Sequence, residues 1–399
     1  MLELGRWSRR RFLASSAGLP LSALGLPLAA LALAPDEELV PFSDYTDDYR
    51  VDAQANSPRV KTFDLRNLTS LKTPAEDFFA FHQTKTVASE AASWRLRIGG
   101  LVKRPVELTL EDLKKRPRRD VAVTIECSGN SGDSRIMNGL VSTAVWSGVG
   151  LAEVLKECSL LPEAREVVFL GMDVEDDRKF EAGNASYSSP HGWSLYVQDA
   201  LSPDPLLAFG MNGAALPPEH GFPLRLVMPG WYGMAQIKWL TRVEVIDRPY
   251  EGRQMARNYQ SLRAVKTVEG PIWLDSSITR NNLKSVIARV TRRGVGERVE
   301  FRIAGAAWGG AARITGVEVQ IDGGSWVGAT VDQRAGDAAW VLWSLVWKGA
   351  EAGEHVLVSR AINARGEVQP TREEMRERVI SNREDNSQWA RRVVIDSRA

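Results

Sequence analysis

Between residues 121 and 130 the chain reads V-A-V-T-I-E-C-S-G-N, with Val121, Val123 and Ile125 alternating against Ala122, Thr124 and Glu126. A period of two built from β-branched residues predicts a strand. Ser128, Gly129 and Asn130 then supply a tight polar turn, so the strand delivers Cys127 to the mouth of that turn. Alternation of Trp94, Leu96 and Ile98, closed by Gly99 and Gly100, predicts a second strand. After residues 106–108, Thr109 reads as an N-cap with Asp112 at N3, opening a short helix that stops before Pro117. From 146 to 161 a helix is expected, with Leu151, Val154, Leu155 and Cys158 on its core face. Residues 166–170 read as a buried strand. Two stretches carry no period: 35–75 reads as a polar surface wrap, and 173–200 as a long loop of the kind that covers a site.

The texture changes at about 264–278. Beyond it, short alternating runs (S-V-I-A-R-V, V-E-F-R-I-A-G, I-T-G-V-E-V-Q-I, W-V-L-W-S-L-V-W, H-V-L-V-S-R-A-I-N-A) are separated by turns such as Asp322, Gly323 and Gly324. This predicts a β-sandwich of immunoglobulin-like size. It holds no cysteine and one histidine, His355, so packing or oligomerisation is its expected role. The division is then 1–34 as a targeting segment, 35–263 as a site-bearing domain and 264–399 as the sandwich, an α+β architecture overall.

Composition narrows the partners. The 399 residues carry 51 basic and 50 acidic side chains, so no global field favours nucleic acid or an anionic membrane. Ser8, Arg9, Arg10, Arg11, Phe12 and Leu13 match the twin-arginine export pattern, followed by an uncharged apolar run to Ala34. Periplasmic localisation is expected, with membrane anchoring by an uncleaved segment as the alternative. Twin-arginine export carries folded, often cofactor-loaded proteins. Two cysteines in an exported chain also pose a Cys127–Cys158 disulfide.

Candidate chemistry centres on two places. Cys127, on a rigid strand end beside glycine, is placed to ligate a metal or act as a nucleophile; the alternative is a small buried hydrophobe. The second is 207–240, where His220, Arg225 and Lys238 lie among Gly221, Pro223, Pro229, Gly230 and Gly233. Such a set suits a phosphate or another anion, and the alternative is ordinary strand-edge charge. No G-x-G-x-x-G or Walker pattern supports a nucleotide fold. His82 closes an aromatic run with Phe78, Phe79 and Phe81, which reads as core, with His82 as a hydrogen-bonded structural residue.

Taken together, E-C-S-G-N at 126–130, W-S-G-V-x-L at 146–151, M-N-G-x-x-L-P-x-x-H-G-F-P-L-R at 211–225, P-G-x-x-G at 229–233 and I-K-W at 237–239 resemble the sulfite oxidase family of molybdenum–pterin enzymes. A-W-G-G followed by I-T-G-V-E-V-Q-I-D-G-G-S-W resembles that family's dimerisation domain. The resemblance implies that Cys127 is the thiolate ligand of molybdenum, that His220, Arg225 and Lys238 hold the pterin phosphate and its neighbouring oxygens, and that Tyr259 is an active-site tyrosine. It also implies cofactor contacts from Gly233, Gln236 and Phe81, a catalytic role for His82, and a homodimer. It argues against the disulfide and leaves Cys158 structural.

Departures bear on the substrate. Where the family usually reads F-F-x-R-x-H this chain has Ala80 and Phe81 before His82, Ser131 and Gly132 stand where arginine tends to follow C-x-G-N, and G-A-R becomes Gly233, Met234, Ala235. Arg135, Arg178, Lys179 or a protonated His82 are the candidate replacements for the lost charge. The leading expectation is oxidation of sulfite or a related sulfur compound. No C-x-x-C-H haem motif occurs, so electrons would pass to an external acceptor such as a c-type cytochrome. The alternatives are a periplasmic sulfoxide reductase using the same centre and, from another class, an exported binding or adhesion protein working through the sandwich.

Overall fold

A computed structural model describes residues 33–44, 60–82, 86–130, 139–174, 190–295, 298–310, 312–381 and 383–396. The targeting motif, Ser131, Gly132, Arg135, Arg178 and Lys179 lie outside these residues.

The first domain is built on two sheets. In one, Arg119–Glu126 pairs antiparallel with Val141–Gly150, which pairs with Leu206–Met211, and both Ala214–Ala215 and Arg225–Val227 add to that strand. The other runs Val106–Leu108, Leu96–Gly100, Leu240–Ile246, Glu166–Val174, Pro190–Tyr196, with Leu96–Gly100 and Leu240–Ile246 parallel. A core including Leu96, Ile98, Val167, Phe169, Leu226 and Val243 is shared with the helix Leu151–Cys158. That helix turns Leu151, Val154, Leu155 and Cys158 inward as the period requires, each worth roughly 1.5–3 kcal/mol for the larger aliphatics. The short helix Leu110–Lys114 has the expected capping box between Thr109 and Asp112.

Three readings are corrected. Residues 146–150 are strand, because Val141–Gly150 has ladder partners on both sides and those bonds outweigh the helical period of its apolar run. The stretch read as one loop contains Pro190–Tyr196, an edge strand whose proline sits at its first residue, where no ladder donor is needed. The surface wrap contains Glu37–Val40, which pairs with the sandwich strand Lys284–Val295, and Phe63, Leu65, Leu68 and Leu71 are buried at the domain junction against Val286, Trp308, Trp340 and Leu342. Among the described residues helices are few and short, so the α+β expectation gives way to a mostly β arrangement. No helix among the described residues is long and apolar enough to cross a membrane.

The second domain is a two-sheet antiparallel sandwich. Its sheets order as Glu37–Val40, Lys284–Val295, Arg298–Trp308, Val341–Trp347, Thr330–Arg334 and as Val327–Gly328, Ile314–Ile321, Gly353–Asn363, Ala390–Ile395. Val290, Ile303, Val319, Trp343, Leu357 and Val393 fill the space between. A hairpin, Gln260–Thr267 with Gly270–Ser277, joins the domains and gains Val379–Ile380 as a third strand.

Candidate active site

One cleft collects most of the residues singled out above. Cys127, His82, His220, Arg225, Lys238, Gly233, Gln236, Tyr259 and Phe81 all line it, as do Asp173 and His191. Both cysteines are free. Cys158 lies on the core face of its helix, away from this cleft.

At one end is the cysteine turn. The Cys127 N–H donates to Leu140 O at 2.9 Å and Asn130 N–H to Cys127 O at 2.9 Å, which closes the turn. Burial raises the thiol's pKa, while the Gly129 backbone and the charges of Arg383 and Lys284 act in the opposite direction. Gly233 lies against this turn: a Cβ there would meet Glu126 O at 3.3 Å and Cys127 Cα at 3.6 Å, so glycine allows the close approach.

At the other end is a cationic cradle. Gly221, at φ 106°, makes the turn that brings the cradle together; a Cβ on it would stand 3.0 Å from Lys238 Cβ and 3.2 Å from Arg225 Cβ. Arg225 is buried, donates to His220 O at 3.0 Å and Gln236 O at 3.3 Å, and rests on the Trp146 ring at 4.5 Å. Lys238 donates to His82 Nδ1 at 2.5 Å, Phe81 O at 3.1 Å and Glu219 O at 3.2 Å. His220 donates through Nε2 to Ala75 O at 3.2 Å. Burial pushes Lys238 well below its ordinary pKa and Arg225 down to about 9; for Lys238 the charge of Arg225 adds to this. His220 and His82 fall to about 3, from burial first and then from the neighbouring cations.

Two sequence readings change here. In the cofactor-free chain His82 is neutral rather than a substitute charge: Lys238 Nζ lies 2.5 Å from its Nδ1, and burial with the neighbouring cations lowers its pKa to about 3. The Gln236 amide braces its own loop: Nε2 donates to Met228 O at 2.7 Å and Trp231 O at 2.9 Å, and Oε1 accepts from Met228 N at 2.7 Å. Phe78 and Phe79 are core, as read, whereas the Phe81 ring is 39% exposed and its carbonyl is what meets the cradle.

Sequence reasoning missed two residues. Arg383 lies 4.6 Å over the Tyr259 ring and is close enough to Cys127 to act on its charge. His191 donates through Nε2 to Met234 O at 3.2 Å and leaves Nδ1 buried without a partner; its pKa falls to about 4, chiefly by burial. Arg383 sits in an unpatterned segment with no periodic signal, and His191 in the stretch read as loop.

The geometry tests whether a molybdenum–pterin cofactor fits. Among the described residues no carboxylate comes within ion-pair distance of Arg225 or Lys238, and Arg225 Nε is buried without an acceptor. A buried guanidinium without an anion beside it is costly, and Asp173 and Glu219 act on Lys238 without pairing with it; a phosphate would supply the missing charge and acceptors. No group of three or more His, Cys, Asp or Glu side chains among the described residues could hold a bare metal ion. One thiol alone therefore suits a soft metal that arrives carrying most of its own donors. A sulfur donor at one end of the cleft and an anion cradle at the other define a site for a metal bound to an organic phosphate.

The comparisons give the family. Residues 82–254 match the model for the oxidoreductase molybdopterin binding domain, and 275–396 the Mo-co oxidoreductase dimerisation domain. Chicken sulfite oxidase is 32% identical over 326 residues, covering 75% of this chain and 68% of that protein. Nitrate reductase [NADH] 1 of Arabidopsis thaliana is 30% identical over 290 residues, covering 64% of this chain and 31% of that protein. The sulfane dehydrogenase SoxCD of Paracoccus pantotrophus superposes with a TM-score of 0.70 at 26% identity, over 97% of this chain and 94% of that one. The chain belongs to the sulfite oxidase family of molybdopterin-dependent oxidoreductases.

Proposed function

We propose that the protein oxidises a reduced sulfur compound, sulfite or sulfane sulfur, and passes the electrons to an external carrier such as a c-type cytochrome. For sulfite, water supplies the incoming oxygen, sulfur loses two electrons, and sulfate, two protons and two electrons leave. The bound cofactor would supply the two-electron redox centre. Cys127 would ligate the metal; His220, Arg225 and Lys238 would hold the phosphate. Tyr259, buried at the cleft wall, would offer a phenolic O–H to hydrogen-bond and relay a proton.

The observation that carries the substrate reading is Arg383. Ala80 and Phe81 stand where an arginine is usual, and among the described residues the Arg383 guanidinium, over the Tyr259 ring, sets a positive charge near Cys127. That favours an anionic substrate over a neutral sulfoxide. The sandwich is read as scaffold and dimer contact rather than as an adhesion module, and its immunoglobulin-like character remains part of this proposal. So does periplasmic residence, which rests on the twin-arginine motif.

Sulfite-dependent and polysulfide-dependent reduction of cytochrome c, measured beside sulfoxide-dependent oxidation of a reduced dye, tests the reading. Arg383→Met should raise KM for sulfite about ten- to a hundredfold, the loss of a charge-assisted bond of roughly 1.5–3 kcal/mol. Tyr259→Phe should keep its molybdenum but turn over more slowly. Sulfoxide turnover without sulfur oxidation, or an unchanged KM in Arg383→Met, would overturn it.

A further inference from the structure

Glu126 precedes the cysteine and is fully buried, and both of its carboxylate oxygens are engaged away from the cleft. Its Oε1 accepts from Lys284 Nζ at 2.8 Å and from Asn130 Nδ2 at 3.0 Å, and its Oε2 accepts from Trp308 Nε1 at 2.8 Å. Lys284, 1% exposed on its side chain, also donates to Asn130 O at 2.7 Å. Asn130 Oδ1 accepts from Leu140 N at 3.0 Å, the residue whose carbonyl takes the Cys127 N–H. Lys284 and Trp308 belong to sandwich strands, 158 and 182 residues further along the chain. A third sandwich contact comes from Glu384, whose N–H donates to Ser128 O at 2.7 Å.

A buried ion pair is seldom the most stable filling for such a space, since well-packed apolar residues do as well or better. What charge adds is direction. Glu126 fixes three donors, Lys284 ties the far side of the turn through Asn130 O, and the only residues left between these anchors are Cys127, Ser128 and Gly129. The sulfur is thus held at both ends of a three-residue span, by groups from the other domain.

We propose that Glu126 and Lys284, with Trp308, are positioning residues through which the C-terminal sandwich sets the direction of the Cys127 sulfur. The proposal rests on Cys127 being the metal ligand. It gives the sandwich a part in catalysis beyond any dimer contact, because the geometry of the ligand depends on strands outside the molybdopterin domain.

The test uses the holoenzyme and the double variant Glu126→Gln/Lys284→Met, which removes both charges while keeping shape. Molybdenum content and KM for sulfite should stay within twofold of wild type. The electron paramagnetic resonance g-values of the one-electron-reduced protein should shift, and kcat should fall at least tenfold. Wild-type g-values with kcat within twofold, even beside a lower melting temperature, would assign the network to stability alone and overturn the proposal. Should the double variant yield no folded protein, Trp308→Phe is read in the same way: a smaller g-shift with kcat down about threefold supports the proposal, and a wild-type spectrum with wild-type kcat overturns it. Cys127→Ser separates this from the reading beneath it. If that variant keeps the wild-type spectrum, Cys127 is not the ligand and the proposal falls with it; a changed spectrum there leaves the two variants above to decide.

Discussion

The two ends of the cleft are both built from buried charge, and they are built in opposite ways. At the cysteine turn, Lys284 meets Glu126 directly and the carboxylate's neighbours are all donors. At the cradle, Lys238 and Arg225 hydrogen-bond to carbonyls and a neutral imidazole and rest on the Trp239 and Trp146 rings, and burial drives both pKa values down. The turn is electrostatically complete within the polypeptide. The cradle is not: Glu219 comes within 3.4 Å of His220, but among the described residues no carboxylate pairs with Arg225 or Lys238. One end positions a ligand atom, and the other binds a group that the chain does not contain.

That contrast makes the buried Lys284 and the half-buried Lys238 respond in opposite directions. Lys284→Met strips a buried carboxylate of its partner and should destabilise the cofactor-free protein by about 3–5 kcal/mol, read from denaturant unfolding at neutral pH. Lys238→Met removes a cation that burial disfavours, so cofactor-free stability should hold or rise. Its cofactor retention on dialysis should instead fall about ten- to a hundredfold, as expected for a lost charge-assisted bond of roughly 1.5–3 kcal/mol. Equal destabilisation by the two variants would remove the distinction between the ends.

Acid sharpens the same comparison by a smaller amount. His82, His191 and His220 have folded pKa values of about 3 to 4, below the ordinary 6.5, so they fold as neutral groups. Their contribution is complete above pH 6.5 and is lost as pH falls from there toward the folded values. Cofactor-free stability should therefore decline with a slope of up to about 1.4 kcal/mol per pH unit for each histidine. A flat profile from pH 7.5 to 4.5 would contradict their neutral burial. The holoprotein should show a shallower decline, since a bound phosphate favours the protonated forms.

How much of this was legible depends on range. The strand before Cys127, the Thr109–Asp112 capping box and the inward face of Leu151–Cys158 follow from contacts a few residues apart, and the sequence pattern shows them. The cradle residues were legible through motif resemblance, because spacing alone leaves Arg225 and Lys238 as ordinary charges. Residues 146–150 looked helical because they run directly into the helical period of Leu151–Cys158, and their ladder partners are distant in sequence. Glu37–Val40 was missed since its partner lies some 250 residues away and four residues carry little pattern. Arg383, Lys284 and Trp308 were invisible for the same reason: each acts on the cysteine turn across the domain boundary. Gln236 was assigned to the cofactor by its place in a motif, and only its hydrogen bonds show that its amide is already engaged.

The central claim is that Cys127 supplies a sulfur to a metal whose other donors come with the cofactor. X-ray absorption at the molybdenum K edge, on holoprotein and on Cys127→Ser of equal molybdenum content, measures this directly. The account expects the variant to lose one sulfur neighbour and gain a lighter one. An unchanged sulfur shell in Cys127→Ser would contradict it.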